Sequence, residues 1–299
     1  MAEHKAIGVG PAGIELTYET AGDPGHPPVL LIMGAGGQLI NWPDGFRDEL
    51  VARGLYVIRF DHRDTGRSTF MTDAPAPDIA AALAGDLSSV SYTLTDMAAD
   101  TVGLLDTLGL DSVHLVGASM GGMIAQLIAI EYPSRVRTLT TIMSTTGDPS
   151  VGRARPGAFG EPGGPPSTRD EFIAWRLKSV RALSSPGFDF DEAAAVDTLG
   201  RVWDRGFAFD AMMRHMLAVI GSGDRTERLR ELTVPALTMH GEEDGVIDIS
   251  GGKATAAAIP GAKFISFAGM AHSLPRELWP SFADNIADLI GAAESAAVR

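Results

Sequence analysis

His114-Leu115-Val116-Gly117-Ala118-Ser119-Met120-Gly121-Gly122-Met123-Ile124-Ala125-Gln126 is the stretch on which the reading of this chain turns. The apolar run Val113–Val116 leads into Gly117-x-Ser119-x-Gly121. A helical segment, Met120–Tyr132, leaves it and stops at Pro133, which cannot continue a helix. A serine flanked at two residues on each side by glycine, with a strand before and a helix after, is the pattern of a nucleophile elbow. Strand and helix approach so closely at such a turn that the flanking positions have no room for side chains. The turn lifts Ser119 above the carboxyl edge of a sheet, at a helix start whose N–H groups favour negative charge. Without that context the same five residues would read as a glycine-rich helix start.

Working outward, short apolar runs alternate with longer amphipathic segments. The runs are Val29–Met33, Leu55–Phe60, Val113–Val116, Val136–Met143, Val234–Met239 and Lys263–Phe267. They are rich in Val, Ile and Leu and mostly lack polar alternation, as strands buried on both faces should. Thr95–Leu108 has helical spacing of Met97, Val102, Leu104, Leu105 and Leu108. Strands separated by helices predict an α/β fold with a mainly parallel sheet flanked by helices. Ile14–Thr20 alternates and reads as an antiparallel edge hairpin. The rhythm breaks between Ser144 and Arg230: Gly147–Ser167 is a Gly/Pro-rich loop, Thr168 and Glu171 form a capping box before Phe172–Leu183, and helical stretches follow at Asp191–Arg205 and Phe209–Ile220. The expected organisation is a core of residues 1–144 and 231–299, with a helical cap subdomain over 145–230.

A nucleophilic serine needs a base and an orienting acid, in the chain order Ser, acid, His. Of seven histidines, His215, His240 and His272 follow Ser119. His215 falls in the helical insertion and reads as packing. His240 ends a strand, where it lines the site or bonds backbone. His272, in Gly269-Met270-Ala271-His272 after the last strand, is the expected base. Gly241-Glu242-Glu243-Asp244 follows the penultimate strand, and Asp244 is the expected acid, with Glu242 and Glu243 on a solvated turn and Asp248 capping the next segment. The oxyanion hole should combine the Met120 N–H with that of Ala35 in Gly34-Ala35-Gly36-Gly37. Leu39 and Trp42 follow this loop and are expected to border a pocket.

Other patterns fail their context. Gly8-x-Gly10-x-x-Gly13 matches a dinucleotide fingerprint, but no strand is predicted before it. His62-Arg63-Asp64 lacks the Asn of a kinase catalytic loop, Thr69 standing in its place. Ser250-x-x-Lys253 lacks the companion motifs of penicillin-binding enzymes. No His-Glu-x-x-His or calcium loop occurs, so no metal is expected.

Composition narrows the field further. The 299 residues are 45% hydrophobic and 21% charged, ordinary for a globular chain. There is no cysteine, which excludes disulfides, zinc-thiolate sites and a cysteine nucleophile. With 24 basic against 38 acidic residues the net charge is −14, which argues against nucleic acid as a partner. Neither a signal peptide nor a membrane span is read in the sequence, so a soluble, cytoplasmic protein is expected. Oligomeric state leaves no mark in the sequence.

At these residues the chain resembles the α/β-hydrolase fold superfamily over nearly its whole length. Asp61-His62-Arg63-Asp64-Thr65-Gly66-Arg67-Ser68 is similar to the superfamily's Asp-x-Arg-Gly-x-Gly-x-Ser turn, with Asp64 in place of glycine. Ser119-Met120-Gly121-Gly122-Met123-Ile124-Ala125-Gln126 is likewise similar to its elbow helix. Together with Met33-Gly34 and Asn41-Trp42-Pro43, the pattern most resembles aclacinomycin methylesterase-type enzymes, which also carry Met-Gly where His-Gly is usual. The resemblance implies carboxylic-ester hydrolysis through a serine triad, without a cofactor; substrate identity does not carry over with it, and it is the apolar insertion that suggests a small apolar ester. Enol-lactone or carbon–carbon bond hydrolysis on the same triad is the close alternative. A ligand-binding receptor or scaffold that keeps the fold is the alternative from another class. Apolar residues of the insertion, Trp175, Met212, Met213 and Met216 among them, are candidates to wall the pocket, with core packing as the competing role.

Overall fold

The computed structural model describes residues 2–158 and 165–297. Six residues of the expected Gly147–Ser167 loop, 159–164, therefore lie outside the described residues. In chain order the elements are β1 (His4–Val9), β2 (Ile14–Ala21), β3 (Pro28–Ile32), α1 (Asp44–Ala52), β4 (Tyr56–Phe60), α2 (Ile79–Leu83), α3 (Leu94–Thr107), β5 (Val113–Ala118), α4 (Met120–Glu131) and β6 (Val136–Ile142). After them come α5 (Arg169–Leu183), α6 (Glu192–Arg205), α7 (Phe209–Ser222), α8 (Thr226–Leu229), β7 (Ala236–Gly241), α9 (Ile249–Ala258), β8 (Lys263–Phe267) and α10 (Trp279–Ala297).

The strands form one sheet in the order β1-β2-β4-β3-β5-β6-β7-β8. From β4 to β8 the neighbours are parallel, and β2 runs antiparallel to both β1 and β4. The runs Val29–Met33 and Val113–Val116 became β3 and β5, buried at every residue because helices cover both faces. On one face α3 and α4 pack under Leu94, Met97, Leu104, Ile124 and Ile128. On the other, α1 and α10 meet the sheet through Phe46, Leu50, Phe282 and Ile286.

At the start of the chain β2 pairs antiparallel with β1 in the expected edge hairpin, β1 being the outermost strand and β2 the next one in. One expectation is corrected there. A strand does precede the glycines at 10 and 13. It is β1, and another strand follows, so these glycines make a hairpin turn, closed by Gly13 N–H donating to the Gly10 carbonyl at 3.1 Å. No helix start exists there to hold a pyrophosphate.

Between β6 and β7 the chain leaves the sheet for α5–α8. The predicted capping box forms: the Thr168 hydroxyl accepts from Glu171 N–H and the Glu171 carboxylate from Thr168 N–H. Helix α6 packs against residues 39–41, and α7 against α2 and α3, so the insertion lies on the loops at the carboxyl edge of the sheet. No helix among the described residues is long and apolar enough to cross a membrane.

Candidate active site

Ser119 sits between β5 and α4 with φ 54° and ψ −122°, a region that side chains rarely occupy. Such a conformation costs about 1–3 kcal/mol and persists only where the surroundings over-determine it. They do so here. Ser119 N–H donates to the Ile142 carbonyl of β6 at 2.9 Å, and its carbonyl accepts from Gly122 N–H at 2.9 Å and from the Ser144 hydroxyl at 2.8 Å. The glycines are obligatory: a Cβ on Gly117 would lie 2.2 Å from the Gly121 carbonyl oxygen, and one on Gly121 would lie 2.0 Å from that of Ile32. The second clash shows that the elbow helix rides against β3 as well as β5.

His272 and Asp244 meet this serine in a single line. His272 Nε2 lies 3.1 Å from Ser119 Oγ, and Nδ1 lies 2.7 Å from Asp244 Oδ2. The loop that carries His272 is tied to the chain after α5, where Ala271 N–H donates to the Ser185 hydroxyl at 2.9 Å and Gly187 N–H to the Gly269 carbonyl at 2.9 Å. Asp244 is fully buried, and its Oδ1 accepts from the N–H groups of Val246 and Ile247 at 2.9 and 3.0 Å. Burial alone would raise its carboxyl. Hydrogen bonds from His240, His272 and the backbone outweigh that and hold it below the usual carboxylate range. His240 gives its Nε2–H chiefly to the Ile247 carbonyl at 2.8 Å, with Asp244 Oδ2 farther away at 3.4 Å. It thus braces the Asp244 turn. Glu242 and Glu243 are exposed, and Asp248 caps α9 by accepting from Ser250 N–H.

Opposite the serine, Gly34–Gly37 forms a tight turn, with Gly37 N–H donating to the Gly34 carbonyl at 3.1 Å and Gly36 at φ 67°. A Cβ on Gly34 would stand 3.1 Å from the Ser119 Cβ, so the turn lies directly against Ser119. The N–H groups of Ala35 and Met120 have no acceptor among the described residues. Two buried histidines hold the turn on either side of Ala35. His62 Nε2–H donates to the Met33 carbonyl at 3.0 Å, and His215 Nδ1 accepts from Gly36 N–H at 3.0 Å. Burial pushes His62 down to about 3, which keeps its ring neutral.

His215 is therefore not the packing residue that its helical position suggested. Spacing along the chain gives no signal for its partner, which lies 179 residues earlier. The only hint is that a buried imidazole needs partners for both nitrogens. The departure at Asp64 also finds its reason in the insertion. Asp64 keeps the left-handed backbone that glycine would supply (φ 65°), and its carboxylate accepts from Arg214 at 2.8 and 2.9 Å, the Tyr92 hydroxyl at 2.7 Å and Met71 N–H at 2.7 Å.

Two pocket assignments are corrected. Leu39 is fully buried among Ile40, Phe172, Leu199 and Val202 beneath α5 and α6. Trp42 is also fully buried, because the short helical turn at 39–41 sends the chain inward and its ring stacks on Phe46 at 5.5 Å. Neither side chain lines the cavity beside His272. Trp175 is half-buried in an aromatic group with Phe172, Phe207 and Phe209. Met212, Met213 and Met216 are half-buried on α7, and Met212 Cγ would lie 2.7 Å from a Cβ on Gly36. A cavity of about 320 Å³ opens beside His272, lined by Arg155, Leu183, Pro186, Val246 and Ala271 among others. Sequence reasoning had not placed these residues at the site.

Comparison with known proteins places the fold. A family model described as alpha/beta hydrolase fold matches residues 27–275. The rhodomycin D methylesterase DnrP of Streptomyces peucetius is 30% identical over 284 residues, covering 88% of this chain and 90% of that protein. A 2-hydroxy-6-oxononadienedioate/2-hydroxy-6-oxononatrienedioate hydrolase of Dechloromonas aromatica is 28% identical over 284 residues, covering 88% and 86%. Among solved structures, a putative aryl esterase from Burkholderia cenocepacia matches with a TM-score of 0.77 at 20% identity, over 98% of this chain and 100% of that one, which is a likeness of fold.

Proposed function

The chain belongs to the α/β-hydrolase fold family, and from that premise we propose that it is a serine carboxylesterase acting on a small apolar ester. The observation that carries this reading is the unbroken line from Ser119 Oγ through His272 to Asp244, at 3.1 and 2.7 Å, beside two unengaged N–H groups. In this reading Ser119 Oγ attacks the ester carbonyl and its proton passes to His272 Nε2. Asp244 keeps Nδ1 protonated and stabilises the imidazolium that forms. The Ala35 and Met120 N–H groups receive the oxyanion, where the low-dielectric site strengthens them. His272 then protonates the leaving alcohol, an acyl-enzyme remains on Ser119, and water activated by the same imidazole releases the acid.

Residues 145–230 act in this account as a cap. The elbow and the oxyanion turn address only the carbonyl and its flanking oxygens, so discrimination between esters rests on side chains above them. The α7 methionines and Trp175 supply the apolar wall, and the similarity to a methylesterase supports a small alcohol as leaving group. A second reading, hydrolysis of an oxo-dienedioate on the same triad, draws on the Dechloromonas relative.

A panel of methyl esters, p-nitrophenyl esters, lactones and one oxo-dienedioate tests the assignment. Turnover is expected for the esters, graded with chain length, since a methylene in an apolar pocket is worth about 1–3 kcal/mol. Cleavage of the oxo-dienedioate alone would favour the second reading. Binding without turnover of any member would favour a receptor.

A further inference from the structure

Helix α7 reaches the oxyanion turn at two side chains one helical turn apart. Met212 packs on Gly36, whose φ of 67° and lack of a side chain let the helix approach. His215 is wholly buried and uses both ring nitrogens. Gly36 N–H makes Nδ1 an acceptor, so the ring proton sits on Nε2 and is donated to the Arg63 carbonyl at 2.8 Å. One neutral tautomer thus joins two loops at the carboxyl edge of the sheet, the oxyanion turn after β3 and the turn after β4.

The surroundings favour that neutral form. His62 faces the ring edge-on at 6.0 Å between centroids and Tyr92 at 6.2 Å. The nearby charges are already paired, Arg63 with Asp100 at 2.6 and 2.7 Å and Arg214 with Asp64. Burial, above all, holds the His215 imidazole below its ordinary range. The bond to Gly36 also decides which N–H of the turn is free. With Gly36 N–H engaged by His215 and Gly37 N–H by the Gly34 carbonyl, Ala35 N–H is left for a ligand.

We infer that His215 is a positioning residue for the oxyanion turn, through which the inserted helix α7 sets the aim of the Ala35 N–H without touching substrate. The inference rests on the esterase reading, in which that N–H binds the oxyanion. It makes the insertion part of the rate machinery as well as a lid over the substrate. Removing one oxyanion donor outright costs about 10²–10³ in kcat, so misaiming one should cost somewhat less.

Two amide substitutions separate the nitrogens. In His215→Asn the side-chain oxygen stands where Nδ1 was and can still accept from Gly36. In His215→Gln the amide stands where Nε2 was and can still donate to Arg63, but Gly36 loses its acceptor. Thermal melts and steady-state kinetics on a p-nitrophenyl ester are measured for both, well below their melting temperatures. His215→Gln is expected to lose about 10–100-fold in kcat with KM within about 3-fold of wild type, and to bind a boronic acid analogue of the tetrahedral intermediate correspondingly more weakly. His215→Asn should recover most of kcat at a similar loss of melting temperature. Equal kcat in the two folded variants, or a loss confined to KM, would overturn the inference and leave the esterase reading standing. If one variant fails to fold, the boronate affinity of the other still decides: unchanged for Gln, or lost for Asn, contradicts it. A wild-type protein that turns over no ester overturns the underlying reading and this inference with it.

Discussion

Ser119→Ala is expected to lower kcat by about 10⁴–10⁶ while the protein stays folded. The size follows from chemistry, because without Oγ no acyl-enzyme forms and only the oxyanion turn and binding remain to favour water attack. The fold should survive because the strained backbone at φ 54° is fixed by main-chain bonds to Ile142 and Gly122 and by the Ser144 hydroxyl, none of which uses the Ser119 side chain. The measurement is kcat on the best ester of the panel, with a thermal melt run alongside. Retention of more than a tenth of wild-type activity in a folded variant rules out the serine mechanism.

Asp244→Asn should lose nearly as much as removal of His272, on the order of 10⁴ in kcat. Asp244 takes its close hydrogen bonds from three directions at once, His272 on Oδ2 and the Val246 and Ile247 N–H groups on Oδ1, with His240 Nε2 farther from Oδ2 at 3.4 Å. An amide has one accepting oxygen. If that oxygen keeps the backbone bonds, the NH₂ group faces His272 Nδ1 and forces the proton to Nε2, the tautomer that cannot accept from serine. If the amide flips, NH₂ opposes two backbone donors at a fully buried position, and stability falls instead. Either way the imidazolium loses its counter-charge. Glu242→Gln and Glu243→Gln, on the exposed part of the turn, should change kcat by less than about 3-fold. Asp248→Asn should keep its capping bond to Ser250 and behave like them. If Asp248→Asn proved the crippling change, the acid would have been misassigned.

What was legible in the sequence was what local rules govern. The elbow could be read because a strand, a glycine-flanked serine and a helix must be contiguous for the turn to close. The runs that became β3, β5 and β7 stood out because burial on both faces removes polar alternation. Asp244 and His272 followed from chain order, since each sits just beyond a strand at the same sheet edge. Helix α10 went unread although Phe282, Ile286, Leu289 and Ile290 recur at helical spacing, because its small residues blur the stripe. Strand β1 is exposed on most residues, and its apolar stretch Ala6–Val9 is short and interrupted by Gly8.

The failures have one physical source. Leu39 and Trp42 seemed to border a pocket because they follow the Gly34–Gly37 turn in sequence. Which way the chain turns after Gly37 is decided by packing against Phe46 below and by α5 and α6 above. His215 and His62 were missed for the same reason, since their bonds to Gly36 and Met33 span loops that only the finished fold brings together. The Asp64 substitution was visible, but its compensation by Arg214, 150 residues later, was not.

The central claim is that Ser119 is a nucleophile activated by His272, and covalent trapping tests it most directly. The protein is incubated with a fluorophosphonate, which reacts with a serine only when a neighbouring base activates it. Intact mass and peptide mapping then count and locate the adduct. The account predicts one phosphonyl group per chain on the peptide containing Ser119, loss of ester turnover in step with labelling, and no adduct in Ser119→Ala or His272→Ala at the same exposure. Labelling of another residue, or full ester turnover after Ser119 has been labelled, would contradict it.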